Sequence, residues 1–156
     1  MKYYFNSPGS GGELRRTKIV MPKPVTILIA DDNYHFRESL QLLLEPLDDI
    51  KIVAVANDGE ETIALTAKLQ PDIILIDINM SPVNGFEATR KIVKQNPSVK
   101  IIGLSIHKEI SYCRNMMRLG AKGYVTKTSP YTEIIAAIAE VAAGGKYIDP
   151  NITGTL

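Results

Sequence analysis

The amino-acid sequence predicts an α/β fold in which five parallel strands alternate with five helices. Five short apolar runs, each followed by turn or polar residues, alternate strictly with five segments that repeat apolar residues every three to four positions. Residues 73–76 are apolar at every position, which is typical of a strand that is buried on both faces of a parallel sheet. With 156 residues and 45% hydrophobic residues, the chain can form one such domain with short extensions.

The five apolar runs are predicted to be the strands of the sheet. They are residues 25–30, 50–56, 73–76, 99–104 and 123–126. The third run leads into the turn-rich stretch Asn79, Ser81, Pro82, Asn84 and Gly85, so this strand ends abruptly.

The first three helices are predicted from apolar spacing and from the residues at their ends. The first follows residues 31–33 and ends at Pro46, since proline cannot continue a helix. The second opens with Asp58 as N-cap and Glu61 three positions later, which is the pattern of a capping box, and runs to about residue 69. The third covers about residues 85–95.

The last two helices are predicted in the same way. The fourth ends at Gly120, and its buried face is marked by Ile110, Cys113 and Met117. The fifth begins with Ser129 as N-cap and Pro130 at the first helical position, and it ends at residues 144–145, which are both glycine. Strict alternation of strands and helices implies right-handed crossovers with helices on both faces of the sheet. We therefore predict a flavodoxin-like, doubly wound sheet with strand order 2-1-3-4-5 and a ligand site between strands 1 and 3.

The domain limits follow from composition. Residues 1–22 include the segment SPGSGG at 7–12 and show no sustained period, so they are predicted to be a flexible N-terminal extension. The folded domain is expected to cover residues 23–146, and residues 147–156 are expected to begin a linker to a further domain.

Charge and composition exclude several classes of protein. Residues 1–23 carry five basic residues and one acidic residue, so the rest of the chain is acidic although the net charge is +1. A mildly acidic domain does not suit direct nucleic-acid binding. One cysteine excludes an intramolecular disulfide, and no apolar run reaches the roughly 20 residues that span a bilayer. We expect a cytoplasmic protein without membrane association.

Polar residues follow four of the five predicted strands. Asp31 and Asp32 follow the first, Asp77 the third, Ser105 the fourth and Lys127 the fifth. The carboxyl ends of parallel strands share one edge of the sheet, so these side chains are expected to meet there. The stretch around Asp77 alone is equally compatible with a carboxylate that only caps a turn or a helix, and it is the convergence of the other residues that favours a functional site.

The predicted cluster has the chemistry of a phosphoryl site. Three neighbouring carboxylates repel one another, and Mg²⁺, which prefers hard oxygen ligands, removes the conflict. Asp32 and Asp77 are expected to be direct ligands, and Asp31 is expected to act largely through water. Lys127 adds a second positive charge, which suits a phosphoryl group, and Asp77 can then act as the nucleophile that forms an aspartyl phosphate.

On these residues, the chain from about 24 to 147 resembles a response-regulator receiver domain (CheY-like). Residues 104–107 (LSIH), 120–127 (GAKGYVTK) and 142–148 (AAGGKYI) further resemble the NarL/FixJ (LuxR-type) subfamily. The resemblance implies that a sensor histidine kinase donates phosphate to Asp77. It also implies that Asp31, Asp32 and the backbone carbonyl of Asn79 hold Mg²⁺ together with Asp77.

The resemblance also implies a switch. Ser105 and Lys127 would bind the phosphoryl oxygens, and movement of Ser105 would let Tyr124 change position. Asn79 and His107 would tune dephosphorylation, and phosphorylation could lead to a homodimer. DNA would be bound only through a helix-turn-helix output domain beyond this chain.

The sequence departs from the family pattern at two places. Ser81 separates Met80 from Pro82 in the loop after Asp77, and Thr128 stands where the family often has a proline after the lysine.

Three alternatives remain open from the sequence. The chain could be a stand-alone receiver that acts through protein contacts. It could be a phosphatase or phosphotransferase with an aspartyl nucleophile, although the position two after Asp77 is Asn79 and not an acid. It could be a nucleotide-binding domain, although no glycine-rich phosphate-binding motif follows any predicted strand. We expect a phosphoryl acceptor with slow self-dephosphorylation and not a turnover enzyme.

Overall fold

A computed structural model describes the backbone of residues 3–8 and 14–19, and both backbone and side chains of residues 24–154. Its main sheet has six parallel strands in the order β4-β3-β5-β6-β7-β8. The strands of this sheet are β3 (Val25–Ala30), β4 (Ile50–Ala56), β5 (Ile73–Asp77), β6 (Lys100–Ser105), β7 (Gly123–Thr126) and β8 (Tyr147–Ile148). The helices are α1 (Tyr34–Leu44), α2 (Gly59–Leu69), α3 (Gly85–Gln95), α4 (Ile110–Arg118) and α5 (Tyr131–Ala142).

The predicted order of the first five strands is confirmed, and the sheet has one strand more. β8 pairs with β7 through Tyr147 and Ile148, which lie in the segment that was predicted to begin a linker. The predicted N-terminal extension contains two antiparallel strands, β1 (Tyr3–Pro8) and β2 (Leu14–Ile19), which form a sheet of their own. The other residues of that extension, and residues 155–156, lie outside the described part of the chain.

The sheet separates two apolar cores, and this explains why β5 is apolar throughout. Ile73 and Leu75 point into the core beneath α1 and α5, whereas Ile74 and Ile76 point into the core beneath α2, α3 and α4. All five residues of β5 are buried, and Asp77 at the end of the strand is the only polar one among them. In the described part of the chain, the helices are too short and too polar to cross a bilayer.

Side-chain caps fix the starts of the helices that follow β3 and β4. Oδ1 of Asn33 accepts the amide of Phe36 at 3.1 Å at the start of α1. Oδ1 of Asp58 accepts the amide of Glu61 at 2.8 Å at the start of α2, as the capping-box pattern predicted. The carboxylate of Glu61 reaches back to the amide of Asn57 at 2.9 Å, one residue before the cap.

The predicted start of α5 is wrong by one residue. Pro130 occupies the cap position and makes no side-chain cap bond, and the hydroxyl of Ser129 donates to Asp149 instead. The buried face of α4 also differs in part from the prediction, because Met116 is fully buried beside Cys113 whereas Met117 packs only partly against the same core.

Candidate functional site

The carboxyl edge of the sheet brings together the side chains that the sequence predicted there. Asp31 directly follows β3, Asp77 is the last residue of β5, Ser105 is the last residue of β6, and Lys127 directly follows β7. β3 lies beside β5, β5 beside β6, and β6 beside β7, so these four strand ends are consecutive along one edge. The topology alone therefore places two acids, a hydroxyl and an amine around one point.

The ammonium of Lys127 bridges the two buried acids of this cluster. Its Nζ lies 2.6 Å from Oδ2 of Asp31 and 3.4 Å from Oδ1 of Asp77. The ring of Phe36 lies on another side, with its centroid 4.4 Å from Nζ. The Lys127 side chain is only 14% exposed, so water screens these interactions weakly. The cation is thus held between carboxylates and an aromatic face.

Negative charge in the cluster exceeds what this one cation balances. The side chains of Asp31 and Asp77 are 1% and 5% exposed, while Asp32 is exposed at the mouth of the site. One carboxylate oxygen from each of the three lies within 4.8 Å of the others. Oδ2 of Asp31 is buried and makes no hydrogen bond of acceptable geometry with the described residues, so the Lys127 ammonium is the charge that it contacts.

The pKa of Asp77 reflects this excess of negative charge. Burial, and next the nearby charge of Asp31, raise the pKa of Asp77 from 3.8 to about 6, although Lys127 and the amide of Asn79 act in the opposite direction. The carboxyl is therefore mostly ionised at neutral pH, but at a free-energy cost. A divalent cation would relieve that cost, and three carboxylates around a common point are the hard oxygen donors that such an ion prefers.

Backbone groups fix the orientation of both buried acids. The amide of Asn33 donates to Oδ1 of Asp31 at 2.8 Å, and the amide of Asn79 donates to Oδ1 of Asp77 at 3.2 Å. The guanidinium of Arg37 donates to the backbone carbonyl of Asp31 at 2.6 Å. Because the turns after β3 and β5 supply these donors, the carboxylates are held by the same residues that end the strands.

A hydrogen-bonded chain connects Ser105 to a buried tyrosine. The amide of His107 donates to the hydroxyl oxygen of Ser105 at 3.1 Å, and the hydroxyl of Tyr124 donates to the carbonyl of His107 at 2.8 Å. Ser105 and Tyr124 are both fully buried. Burial raises the pKa of Tyr124 to about 12, so its hydroxyl keeps the proton that it donates. The ring of His107 stacks on that of Tyr112 with centroids 4.0 Å apart.

The two departures from the family pattern have defined geometry. The peptide bond between Ser81 and Pro82 is cis, and the bond between Lys127 and Thr128 is trans. Two contributors to the site were missed by sequence reasoning, namely the Phe36 ring beside Lys127 and the Arg37 guanidinium at Asp31. Both residues lie in the first turn of α1, soon after Asp31 and Asp32, and this position was the only feature of the sequence that could have indicated their contact with the site.

Comparisons with known protein families and with curated proteins identify the same kind of domain. The family model for the response regulator receiver domain matches residues 27–139. The chain is 42% identical over 132 residues to the transcriptional regulatory protein DegU of Brevibacillus brevis. The aligned segment covers 85% of this chain and 56% of that protein. It is 37% identical over 131 residues to the oxygen regulatory protein NreC of Staphylococcus carnosus, which covers 83% of this chain and 60% of that protein.

A solved structure agrees with these matches. The crystal structure of a LuxR-family two-component response regulator from Aurantimonas sp. SI85-9A1 superposes with a TM-score of 0.81 at 31% identity, covering 83% of this chain and 93% of that one. The chain thus spans less than two thirds of the length of these two curated relatives, but nearly all of this solved structure.

Proposed function

Because the chain belongs to the response regulator receiver domain family, among the LuxR/NarL-type two-component regulators, we propose that it is a phosphorylation switch and that Asp77 is its phosphoryl acceptor. The donor is the phosphohistidine of a sensor histidine kinase. The observation that carries the proposal is the position of the Asp77 carboxylate, which is buried at the end of β5, 3.4 Å from the ammonium of Lys127 and within one acidic cluster.

The transfer requires an ionised carboxylate. An oxygen of Asp77 attacks phosphorus, the phosphorus–nitrogen bond of the phosphohistidine breaks, and the imidazole nitrogen of the donor keeps the electron pair and takes up a proton. With a pKa of about 6, Asp77 is ready to attack at neutral pH without a separate base. Lys127 moves little to meet the transferred group, because it already contacts Asp77, and its charge offsets the negative charge on the phosphoryl oxygens.

Magnesium fits the same cluster. The carboxylates of Asp31, Asp32 and Asp77, with the backbone carbonyl of Asn79, would hold the ion, and the three carboxylate oxygens that lie within 4.8 Å of one another support this assignment. When bound, Mg²⁺ neutralises charge on the carboxylates and on the phosphoryl oxygens. Exposure of Asp32 at the mouth leaves the cluster accessible from solvent.

Ser105 transmits the state of Asp77 to the rest of the domain. Its hydroxyl binds a phosphoryl oxygen and, in turning toward it, leaves the amide of His107. The backbone carbonyl of the same residue, His107, accepts the Tyr124 hydroxyl, so a shift of this loop frees the buried ring of Tyr124 to reorient. His107 and Asn79 border the acceptor and set the lifetime of the phosphorylated state.

The names of the relatives support a proposal for the output. The DegU relative carries the name of a transcriptional regulatory protein, and this chain covers 56% of it. We propose that phosphorylation controls a helix-turn-helix DNA-binding domain in the whole protein, with homodimer formation as an intermediate step. A stand-alone receiver that acts through protein contacts is the alternative. In either case the domain is cytoplasmic, where it meets the kinase, and it accepts phosphate without multiple turnover.

The test is intact mass after incubation with Mg²⁺ and acetyl phosphate. One added phosphoryl group is expected on the wild type, and none on Asp77→Asn or on the wild type in EDTA. Asp72→Asn is the matched control, because the Asp72 carboxylate caps β3 at the opposite edge of the sheet, through Thr26, and should not affect labelling. Labelling that persists in Asp77→Asn, or sustained release of phosphate over many turnovers, would contradict the proposal.

A further inference from the structure

A second buried acid, outside the acidic cluster, lies directly after β8. Asp149 is 1% exposed, and every described hydrogen-bond partner of its carboxylate is a donor. Oδ2 accepts the amide of Thr126 at 3.0 Å and the hydroxyl of Ser129 at 2.5 Å. Oδ1 accepts the amide of Asn151 at 2.8 Å and its side-chain amide at 3.0 Å. Burial, the largest influence, raises the pKa of this carboxyl, but the hydrogen bonds together lower it below 3.8, so the group is anionic at neutral pH.

The two groups that Oδ2 holds lie on either side of Lys127 in the chain. Thr126 immediately precedes the lysine, and Ser129 follows it by two residues. The hydroxyls of Thr126 and Ser129 also lie 2.8 Å apart, and the hydroxyl of Thr128 lies 3.2 Å from that of Thr126. Asp149 is therefore the centre of a polar network that closes the turn carrying Lys127.

Few other described contacts fix this turn. The amide of Lys127 donates to the carbonyl of Ser105 at 2.8 Å, and the amide of Ser129 donates to the carbonyl of Thr126 at 3.2 Å. α5 starts only at Tyr131 and has no side-chain cap, and the side-chain amide of Asn151 donates to the hydroxyl of Ser129 at 3.0 Å. A lysine side chain is long and has many rotamers, so the position of its ammonium depends on where the backbone holds its base.

We infer that Asp149 is a positioning residue for Lys127, and that through this turn it sets the place of the ammonium between Asp31 and Asp77. This inference rests on the proposed function, because it concerns the efficiency of phosphoryl transfer to Asp77. Misplacement of a group by about 1 Å can slow a reaction by about 100-fold. Loss of the Asp149 carboxylate is therefore expected to slow phosphorylation by about 10- to 100-fold.

The first experiment is a double-mutant cycle on the rate of labelling by acetyl phosphate with Mg²⁺, followed by intact mass. The variants are Asp149→Ala, Lys127→Met and the double variant, with Asp72→Ala as control. Asp72 also accepts a backbone amide and a hydroxyl, from Thr26, but at the opposite edge of the sheet. We expect Asp149→Ala to slow labelling when Lys127 is present, and to have little further effect on the labelling rate in the Lys127→Met background. Asp72→Ala should label as the wild type does.

The second experiment does not depend on labelling. The side-chain ammonium signal of Lys127 in a proton–nitrogen NMR spectrum is assigned by its loss in Lys127→Met. Asp149→Ala is expected to shift or broaden it, and Asp72→Ala to leave it in place. If Asp149→Ala does not fold, Ser129→Ala takes its place in both experiments, because it removes a group that binds Asp149 and leaves the carboxylate's three other bonds.

The outcomes separate the two proposals. A wild type that acetyl phosphate does not label overturns the proposed function and, with it, this inference. A labelled wild type with equal rates in Asp149→Ala overturns the inference alone. The inference is also overturned if Asp149→Ala lowers the labelling rate by the same factor with and without Lys127, or if the ammonium signal of Lys127 does not change. Either result means that Asp149 stabilises the fold without positioning the lysine.

Discussion

Replacing Asp77 by asparagine should stabilise the metal-free protein at neutral pH, although it removes the proposed acceptor. The carboxylate is 5% exposed and shares its surroundings with Asp31, so its charge costs free energy in the folded state. Asparagine has nearly the same shape and can still accept the amide of Asn79. Lys127 keeps its 2.6 Å contact with Asp31, so the substitution leaves no cation without a partner.

The magnitude follows from the pKa. A change in the pKa of Asp77 from 3.8 in the unfolded chain to about 6 in the folded one corresponds to about 3 kcal/mol, since each pKa unit is worth about 1.4 kcal/mol. This is an upper limit, because relaxation of the folded protein around a buried charge lowers the real cost of that charge. We therefore expect a gain of about 1–2 kcal/mol in the free energy of unfolding.

The dependence on pH has a definite sign. Between pH 3.8 and about 6 the folded state binds the Asp77 proton more tightly than the unfolded state does, so the wild type loses stability as the pH rises through this window. The variant has no such group. Its advantage should be absent below about pH 3 and complete above about pH 6.5.

Urea unfolding in EDTA at several pH values measures this difference. Added Mg²⁺ should stabilise the wild type more than Asp77→Asn and so reduce the gap. Asp72→Asn, in which the lost carboxylate accepts bonds from Thr26 at the other edge of the sheet, should show no gain at any pH. If Asp77→Asn in EDTA at pH 7.5 is no more stable than the wild type, the conclusion that the buried charge of Asp77 destabilises the metal-free protein is wrong.

Three further predictions concern residues around the site. Gly85→Ala should destabilise the fold by at least about 2 kcal/mol in urea unfolding, because a Cβ there would lie 2.7 Å from the backbone at the end of β5 and closer still to the carbonyl oxygen of Asp77. Tyr124→Phe should lower the free energy of unfolding by about 1–2 kcal/mol, because the carbonyl of His107 loses its buried donor; an unchanged value would contradict that bond. Cys113, whose pKa is raised by burial to about 11, should react with thiol reagents at neutral pH only as fast as the protein unfolds; fast reaction in the native state would show that α4 opens.

The sequence predicts the frame of the site well, because the frame depends on local patterns and on topology. Each of the five main strands is an apolar run with clear ends, and parallel strands must bring their carboxyl ends to one edge. That is why the sequence alone predicts that the side chains of Asp31, Asp77, Ser105 and Lys127 meet at one edge of the sheet.

Two of the differences have one physical cause, which is a contact between residues far apart in the chain. Ser129 before Pro130 has the local pattern of an N-cap, but its hydroxyl is taken by Asp149, 20 residues later. β8 has only two residues, too few for any period, and it exists because β7 offers a free edge. The contact of the Phe36 ring with Lys127 depends on side-chain rotamers, about which sequence spacing carries no information.

β8 also bears on how the domain can be cut and handled. A chain that ended at residue 146, the domain limit predicted from the sequence, would lose the bonds from the amide of Tyr147 to the carbonyl of Lys122 and from the amide of Asp149 to the carbonyl of Tyr124. The backbone of β7 would then be an open sheet edge, which is a template for strand addition by another chain and hence for aggregation. A shortened domain that keeps residues 147–154 should remain dispersed at concentrations where the shorter one precipitates.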